Sequence, residues 1–186
     1  MTLPIVLYGN PVLRKKGASA FPLTKERRKL IEDMLETMRQ ERGIGLAAQQ
    51  VGYALQLAVV DVSTVEDRPS KMWIKDKEVD PKEHMPLLLL DPKVRLIKSK
   101  EIGWEGCLSF PNIEAQINRS KRVHVITKKE DGTMFEFEAA GLLGRAIQHE
   151  YDHLQGVLFT DRMSPEDLKT LRPQIDAIRE VAAQNF

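Results

Sequence analysis

His149 and His153 are the residues from which a chemical reading of this chain starts. In a helix over residues 142–155 they stand four positions apart, about 40° around the axis and ~6 Å along it, so both imidazoles face one point. One metal ion can accept both. Glu150 lies beside that line of sight, where its carboxylate reaches a water on the metal without being a ligand. This is the His-Glu-x-x-His arrangement of metallohydrolases. A catalytic zinc or iron site needs a third protein ligand and an open position. One metallopeptidase pattern continues through Gly156 to a further histidine, but that position is Phe159. Another takes a downstream glutamate with an aspartate four residues on, which neither Glu166 nor Glu180 has. Upstream, His84, His124 and Cys107 remain as candidates. His124 lies in an alternating strand, where a satisfied structural histidine is expected, and a single cysteine read alone is a core residue.

The helix that carries the pair opens at Gly141 and closes at Gly156. Residues 24–41 carry Leu30, Ile31, Met34, Leu35 and Met38 at helical spacing, with Thr24 as N-cap and Gly43 as terminator. Strands are expected at 56–62, 87–90, 94–98, 113–118 and 123–127. The last runs through a turn at Asp131-Gly132 into the alternating stretch 134–138, a hairpin signal. Residues 63–85 are polar and broken by Pro69 and Pro81, which reads as a surface excursion, most marked over 66–85. Ser164 and Pro165 start a last helix that Pro173 should kink or split.

At 186 residues and 21.2 kDa the chain suits one catalytic domain spanning 1–186, with 164–186 as a C-terminal helical segment. One cysteine forms no internal disulfide, and the reducing cell interior is its natural compartment. The N-terminus lacks the basic start and long apolar core of a signal peptide, and the longest apolar run, 85–90, is too short to span a bilayer. The expectation is a soluble cytoplasmic protein with no membrane partner. Twenty-eight basic against twenty-seven acidic residues give a formal charge of +1, which argues against broad electrostatic capture of nucleic acid. The basic clusters at 14–16, 27–29 and 119–122 read as solvated faces without functional weight.

Two further stretches change the reading. Gly43-Ile44-Gly45-Leu46-Ala47-Ala48-Gln49-Gln50, Glu105-Gly106-Cys107-Leu108-Ser109 and Gln148-His149-Glu150-Tyr151-Asp152-His153, in that order and separation, resemble the three signature motifs of the peptide deformylases. The likeness runs from Asn10-Pro11-Val12-Leu13-Arg14 through the last helix. It implies an α+β fold, with antiparallel sheets around a central metal-bearing helix and a helix at each end of the chain. It also implies hydrolytic removal of the formyl group from N-formylmethionine on new polypeptides, releasing formate.

By the same resemblance Cys107, His149 and His153 are the metal ligands, and one divalent ion, Fe²⁺ with Zn²⁺ as the alternative, is the cofactor. A metal lowers the pKa of bound water from 15.7 toward about 7 and polarises a carbonyl. Glu150 then takes the water proton and returns it to the departing amine. The resemblance assigns Gln50 and the Leu108 N–H to the oxyanion and the Gly45 main chain to the substrate backbone. Ile44, Leu142 and Ala146 line a pocket for the methionine side chain. Some members associate transiently with the ribosome through a basic C-terminal helix. Here Glu166, Asp167, Asp176 and Glu180 outnumber Lys169, Arg172 and Arg179, and Arg145 stands among the apolar pocket residues.

Three other readings compete. Gly43, Gly45 and Ala48 match a dinucleotide-binding turn, but a helix precedes them where that motif needs a strand. A metallopeptidase lacks its downstream ligand. A structural metal site is normally closed by four protein ligands, and three are found.

Overall fold

The computed structural model describes residues 1–97 and 99–184. Helix α1 (Lys25–Gln40) begins where the Thr24 hydroxyl accepts from the Arg27 N–H at 3.3 Å, satisfying a first-turn donor that the helix cannot pair internally. Its end differs from expectation. The left-handed residue is Arg42 (φ 56°), and the Gly43 N–H closes on the Met38 carbonyl at 2.9 Å.

After α1 come β1 (Gly45–Ala47), β2 (Leu57–Val60), β3 (Ser70–Ile74), β4 (Lys77–Val79) and β5 (Leu87–Leu96). Then follow β6 (Lys100–Cys107), β7 (Phe110–Ser120), β8 (Arg122–Lys128), β9 (Met134–Ala140), α2 (Gly141–Leu154) and α3 (Pro165–Ala183). Seven strands form one antiparallel sheet in the order β1-β2-β5-β8-β9-β3-β4, and β6 with β7 forms a separate hairpin. The architecture is the expected α+β arrangement, with α2 packed between the large sheet and the hairpin.

Strand alternation explains why β2 is an unbroken apolar run. Leu57 and Val59 join Leu30, Ile31, Met34 and Met38 of α1, whereas Ala58 and Val60 join Leu143, Ala146 and Ile147 of α2. Both faces are covered, so both sets of side chains are apolar. A third core packs Phe110, Ile113, Ala115 and Ile117 of β7 against Leu13, Phe159 and Ile175.

Three expectations are corrected. The stretch 63–85 is not only a surface excursion: it supplies β3 and β4, extends the large sheet through β9, and buries Met72 completely. It also builds the start of α2. Ala140 offers no side-chain cap, so the Leu142 N–H donates to the Pro69 carbonyl at 2.9 Å and the Leu143 N–H to Ser70 Oγ at 3.0 Å. Gly141 is required there, with φ 66° and a Cβ position only 2.2 Å from the Pro69 oxygen. Second, 87–90 and 94–98 are one strand, Leu87–Leu96, with its register shifted between Leu90 and Lys93; position 98 lies outside the described residues. Third, of the kink or split expected of α3 at Pro173, the split does not occur. This exposed proline sits inside one helix, and Leu168, Leu171, Ile175 and Ile178 pack on the third core from both sides of it.

Candidate active site

Helix α2 is buried along most of its length although it carries Arg145, Gln148, His149, Glu150, Asp152 and His153. Leu142, Leu143, Ile147 and Leu154 stabilise that placement, each fully buried aliphatic side chain contributing about 1.5–3 kcal/mol. Arg145, Gln148, His149 and Asp152 are tolerated because they have hydrogen-bond partners, whereas Glu150 Oε2 and His153 Nδ1 are buried without one. Gln148 accepts from the Ser120 N–H at 3.0 Å and donates to the Ser120 carbonyl at 2.9 Å and the Gly144 carbonyl at 3.1 Å. It locks α2 to the end of β7.

His149 and His153 stack edge-to-face with ring centres 5.1 Å apart. Cys107 enters from the end of β6, where the register shift after Gly106 turns the chain. Its Sγ lies 3.4 Å from His153 Nε2, and the three possible donor atoms of Cys107, His149 and His153 all fall within 4.8 Å of one another. The remaining sequence candidates stand elsewhere. His124 pairs across the sheet with Glu136 at 2.7 Å, and His84 packs on Phe135.

The surroundings suit a cation. Burial pushes the His153 imidazole well below its usual range, reinforced by the neighbouring His149, and leaves a neutral lone-pair donor. Burial acts in the same direction on His149, but hydrogen bonds to Cys107 and Glu105 reverse it and hold that imidazole high. Two nitrogens and a soft sulfur, with one side facing a cleft, are a donor set for a four-coordinate catalytic metal ion. The residues present fit such an ion.

Glu105 organises the cluster. Its Oε1 accepts from His149 Nδ1 at 2.8 Å, which turns His149 Nε2 toward Cys107 and the other donors. Arg119 grips both carboxylate oxygens at 2.9 Å, and Arg145 Nη1 adds a third cationic contact at 2.9 Å. Burial works against the Glu105 charge, yet Arg119 and His149 outweigh it and hold the carboxyl far below the usual range. Arg119 also reaches Asp152 at 2.5 Å, and Arg162 holds both Asp152 oxygens at 2.8 Å. The reading of 119–122 as a solvated face is wrong for Arg119, which is only 3% exposed. A buried carboxylate two residues before the cysteine demanded a cation. Only folding shows which one.

Glu150 is 4% exposed, and burial pushes its carboxyl up to about 7. Its Oε2 is buried without a hydrogen-bond partner. Across from it, the Gln50 amide is oriented by Ala47, whose N–H donates to Oε1 at 3.0 Å. Gln50 Nε2 therefore points to Ser109 Oγ at 3.2 Å and to Cys107 Sγ at 3.4 Å. A cleft of about 1070 Å³ opens over these groups. Ile44, Gly45, Leu108, Leu142 and Ala146 line it together with Gln50, Cys107, His149 and Glu150, while His153 lies beneath.

A three-donor cluster beside a protonatable carboxylate, at the floor of a cleft on an α+β scaffold, defines the class of metal-dependent amide hydrolases. Residues 2–169 match the family described as polypeptide deformylase. The chain is 49% identical over 179 residues to a peptide deformylase of Methylacidiphilum infernorum, covering 96% of this chain and 94% of that protein. A crystal structure of peptide deformylase from Thermotoga maritima superposes with a TM-score of 0.73 at 37% identity, covering 89% of this chain and 99% of that one. A plant peptide deformylase superposes with a TM-score of 0.83 at 32% identity, covering 98% and 92%. The chain belongs to the polypeptide deformylase family. It is a hydrolase that removes the N-formyl group from N-formylmethionine on newly made polypeptides. No helix among the described residues is long and apolar enough to cross a membrane.

Proposed function

We propose that residues 1–186 act as one catalytic domain in which Cys107, His149 and His153 hold a single divalent ion and Glu150 moves the protons. The carrying observation is the Glu150 carboxyl, buried, pushed up to about 7 and with Oε2 unpartnered beside the donor cluster. When bound, the ion supplies Lewis acidity and a water acidified toward neutrality. Fe²⁺ is the ion the family resemblance implies, whereas intrinsic affinity of an S,N,N set favours Zn²⁺.

The chain's own residues do the rest. Glu150, with an affinity for protons near the working pH, accepts a proton from the attacking water and delivers it to the departing amine nitrogen. Carbon–nitrogen cleavage then releases formate and a free N-terminus. Gln50 Nε2 and the Leu108 N–H donate to the oxyanion that develops on the formyl oxygen. Gly45 offers main-chain atoms to the substrate backbone, and Ile44, Leu142 and Ala146 receive the methionine side chain from the cleft wall. The substrate partner is a formylmethionyl polypeptide. The resemblance also implies a transient encounter with the ribosome, although α3 carries mixed acidic and basic residues in place of a basic run.

The direct test is an anaerobic assay of formate release from a formyl-Met peptide, with metal content measured on the same sample. Stoichiometric metal with formate release is expected. Cleavage of an internal peptide bond without formate would point to a peptidase. Cys107→Ser is expected to lose metal or change its reactivity, and normal stoichiometry with normal turnover would remove Cys107 from the ligand set.

A further inference from the structure

Arg145 belongs to no part of the mechanism above, yet its side chain is among the most heavily bonded in the molecule. It precedes His149 by four residues on α2, so the two side chains leave the same face of the helix one turn apart. Both reach the same carboxylate from β6. Glu105 Oε1 takes His149 Nδ1 at 2.8 Å, and Oε2 takes Arg145 Nη1 at 2.9 Å. With Arg119 on both oxygens, all four lone-pair directions of Glu105 are used. The Arg145 guanidinium is itself held by the hairpin, donating to the carbonyls of Ile117 at 2.7 Å and Glu101 at 3.1 Å.

Room for it is made by Gly103, two residues before Glu105 on the same strand face. A Cβ at position 103 would stand 2.8 Å from the guanidinium carbon. Arg119 projects from β7 and joins Glu105 to α2 only indirectly, through Asp152 beyond His149. Arg145 is the arginine that reaches Glu105 directly from α2, one turn before His149.

We infer that Arg145, seated over Gly103, is a positioning residue that fixes the His149 ring toward the metal by clamping Glu105 between two successive turns of α2. This rests on the proposed ligand set. Loss of the clamp leaves Glu105 held by Arg119 without its direct arginine contact to α2, so the direction of His149 is less tightly set. Outer-shell partners of metal-bound histidines are typically worth roughly 10- to 100-fold in metal affinity.

The test uses the full chain loaded with Zn²⁺ or Co²⁺, as wild type, Arg145→Met, Arg145→Lys, Gly103→Ala and His149→Ala. Two readouts are followed: the rate of metal loss to excess chelator and the visible spectrum of the cobalt form. Arg145→Met is expected to lose metal roughly ten times faster or more, with a shifted cobalt spectrum, at unchanged far-ultraviolet circular dichroism. Arg145→Lys, which keeps one cationic donor, should recover part of the retention. Gly103→Ala should reproduce the defect with Arg145 present, and it decides the matter if Arg145→Met does not fold. Folded variants at 145 and 103 with wild-type retention and an unchanged spectrum overturn the proposal. Full retention by His149→Ala overturns the ligand set instead.

Discussion

Gly45 and Glu150 approach so closely that a Cβ on residue 45 would stand 2.4 Å from Glu150 Oε1 and 2.8 Å from its Cδ. The glycine of the first motif is therefore a spatial requirement of the carboxyl in the third. Gly45→Ala must displace a buried side chain, and a misplacement of about 1 Å can cost ~10²-fold in rate. A fall of that order in kcat with metal content unchanged is expected. Wild-type turnover in Gly45→Ala would mean that Glu150 acts from another position.

Glu150→Gln keeps size and removes the exchangeable charge. Deformylation should drop by at least about a hundredfold while metal stays bound, since general acid–base groups typically contribute 10²- to 10⁴-fold. Formate release at the wild-type rate, from protein of verified metal content, would end its role as proton carrier.

Gln50 is held by the Ala47 N–H so that its amide nitrogen, not its oxygen, faces Cys107. Gln50→Ala should lower turnover on the order of 10²-fold with little effect on metal. A change confined to KM would assign Gln50 to substrate binding rather than to the oxyanion.

Asp91 allows a prediction about acid stability away from the site. Burial raises its pKa, but Ser19 Oγ at 2.7 Å, the Ala20 N–H at 2.7 Å and Lys128 at 2.9 Å outweigh that and lower the net value below the ordinary aspartate range. A depressed folded-state pKa stabilises above the unfolded value and ceases to do so as pH falls through the folded one. Asn tolerates the φ of 48° at this position. Asp91→Asn should therefore unfold more easily than wild type near neutral pH, with the difference shrinking below about pH 4. A difference independent of pH in urea titrations would show that charge is not what matters there.

The features legible in the sequence are those set by local periodicity. The α1 stripe from Leu30 to Met38, the hairpin across Asp131-Gly132 and the four-residue spacing of His149 and His153 all follow from backbone geometry repeated over a few residues. Strands β3 and β4 were hidden because their surroundings are polar. As an edge hairpin they have few fully buried positions, and their place in the sheet comes from pairing with β9.

The sequence by itself determined that this chain carries a histidine pair, a carboxyl between them and two upstream motifs of a known kind. It could not rank Cys107 above His124 on spacing, since one thiol and one imidazole are separated from the helix by chain whose path is not local. Nor could it distinguish Arg119 from surface charge, or find the carboxylate that Arg145, set among the pocket residues, would reach. Only the tertiary structure decided that Glu105 is shared by His149, Arg119 and Arg145, and that Gly45 and Gly103 leave the space those side chains fill. The physical reason is that a buried charge is defined by partners far along the chain. Those partners meet only when the large sheet and the β6–β7 hairpin close on opposite sides of α2.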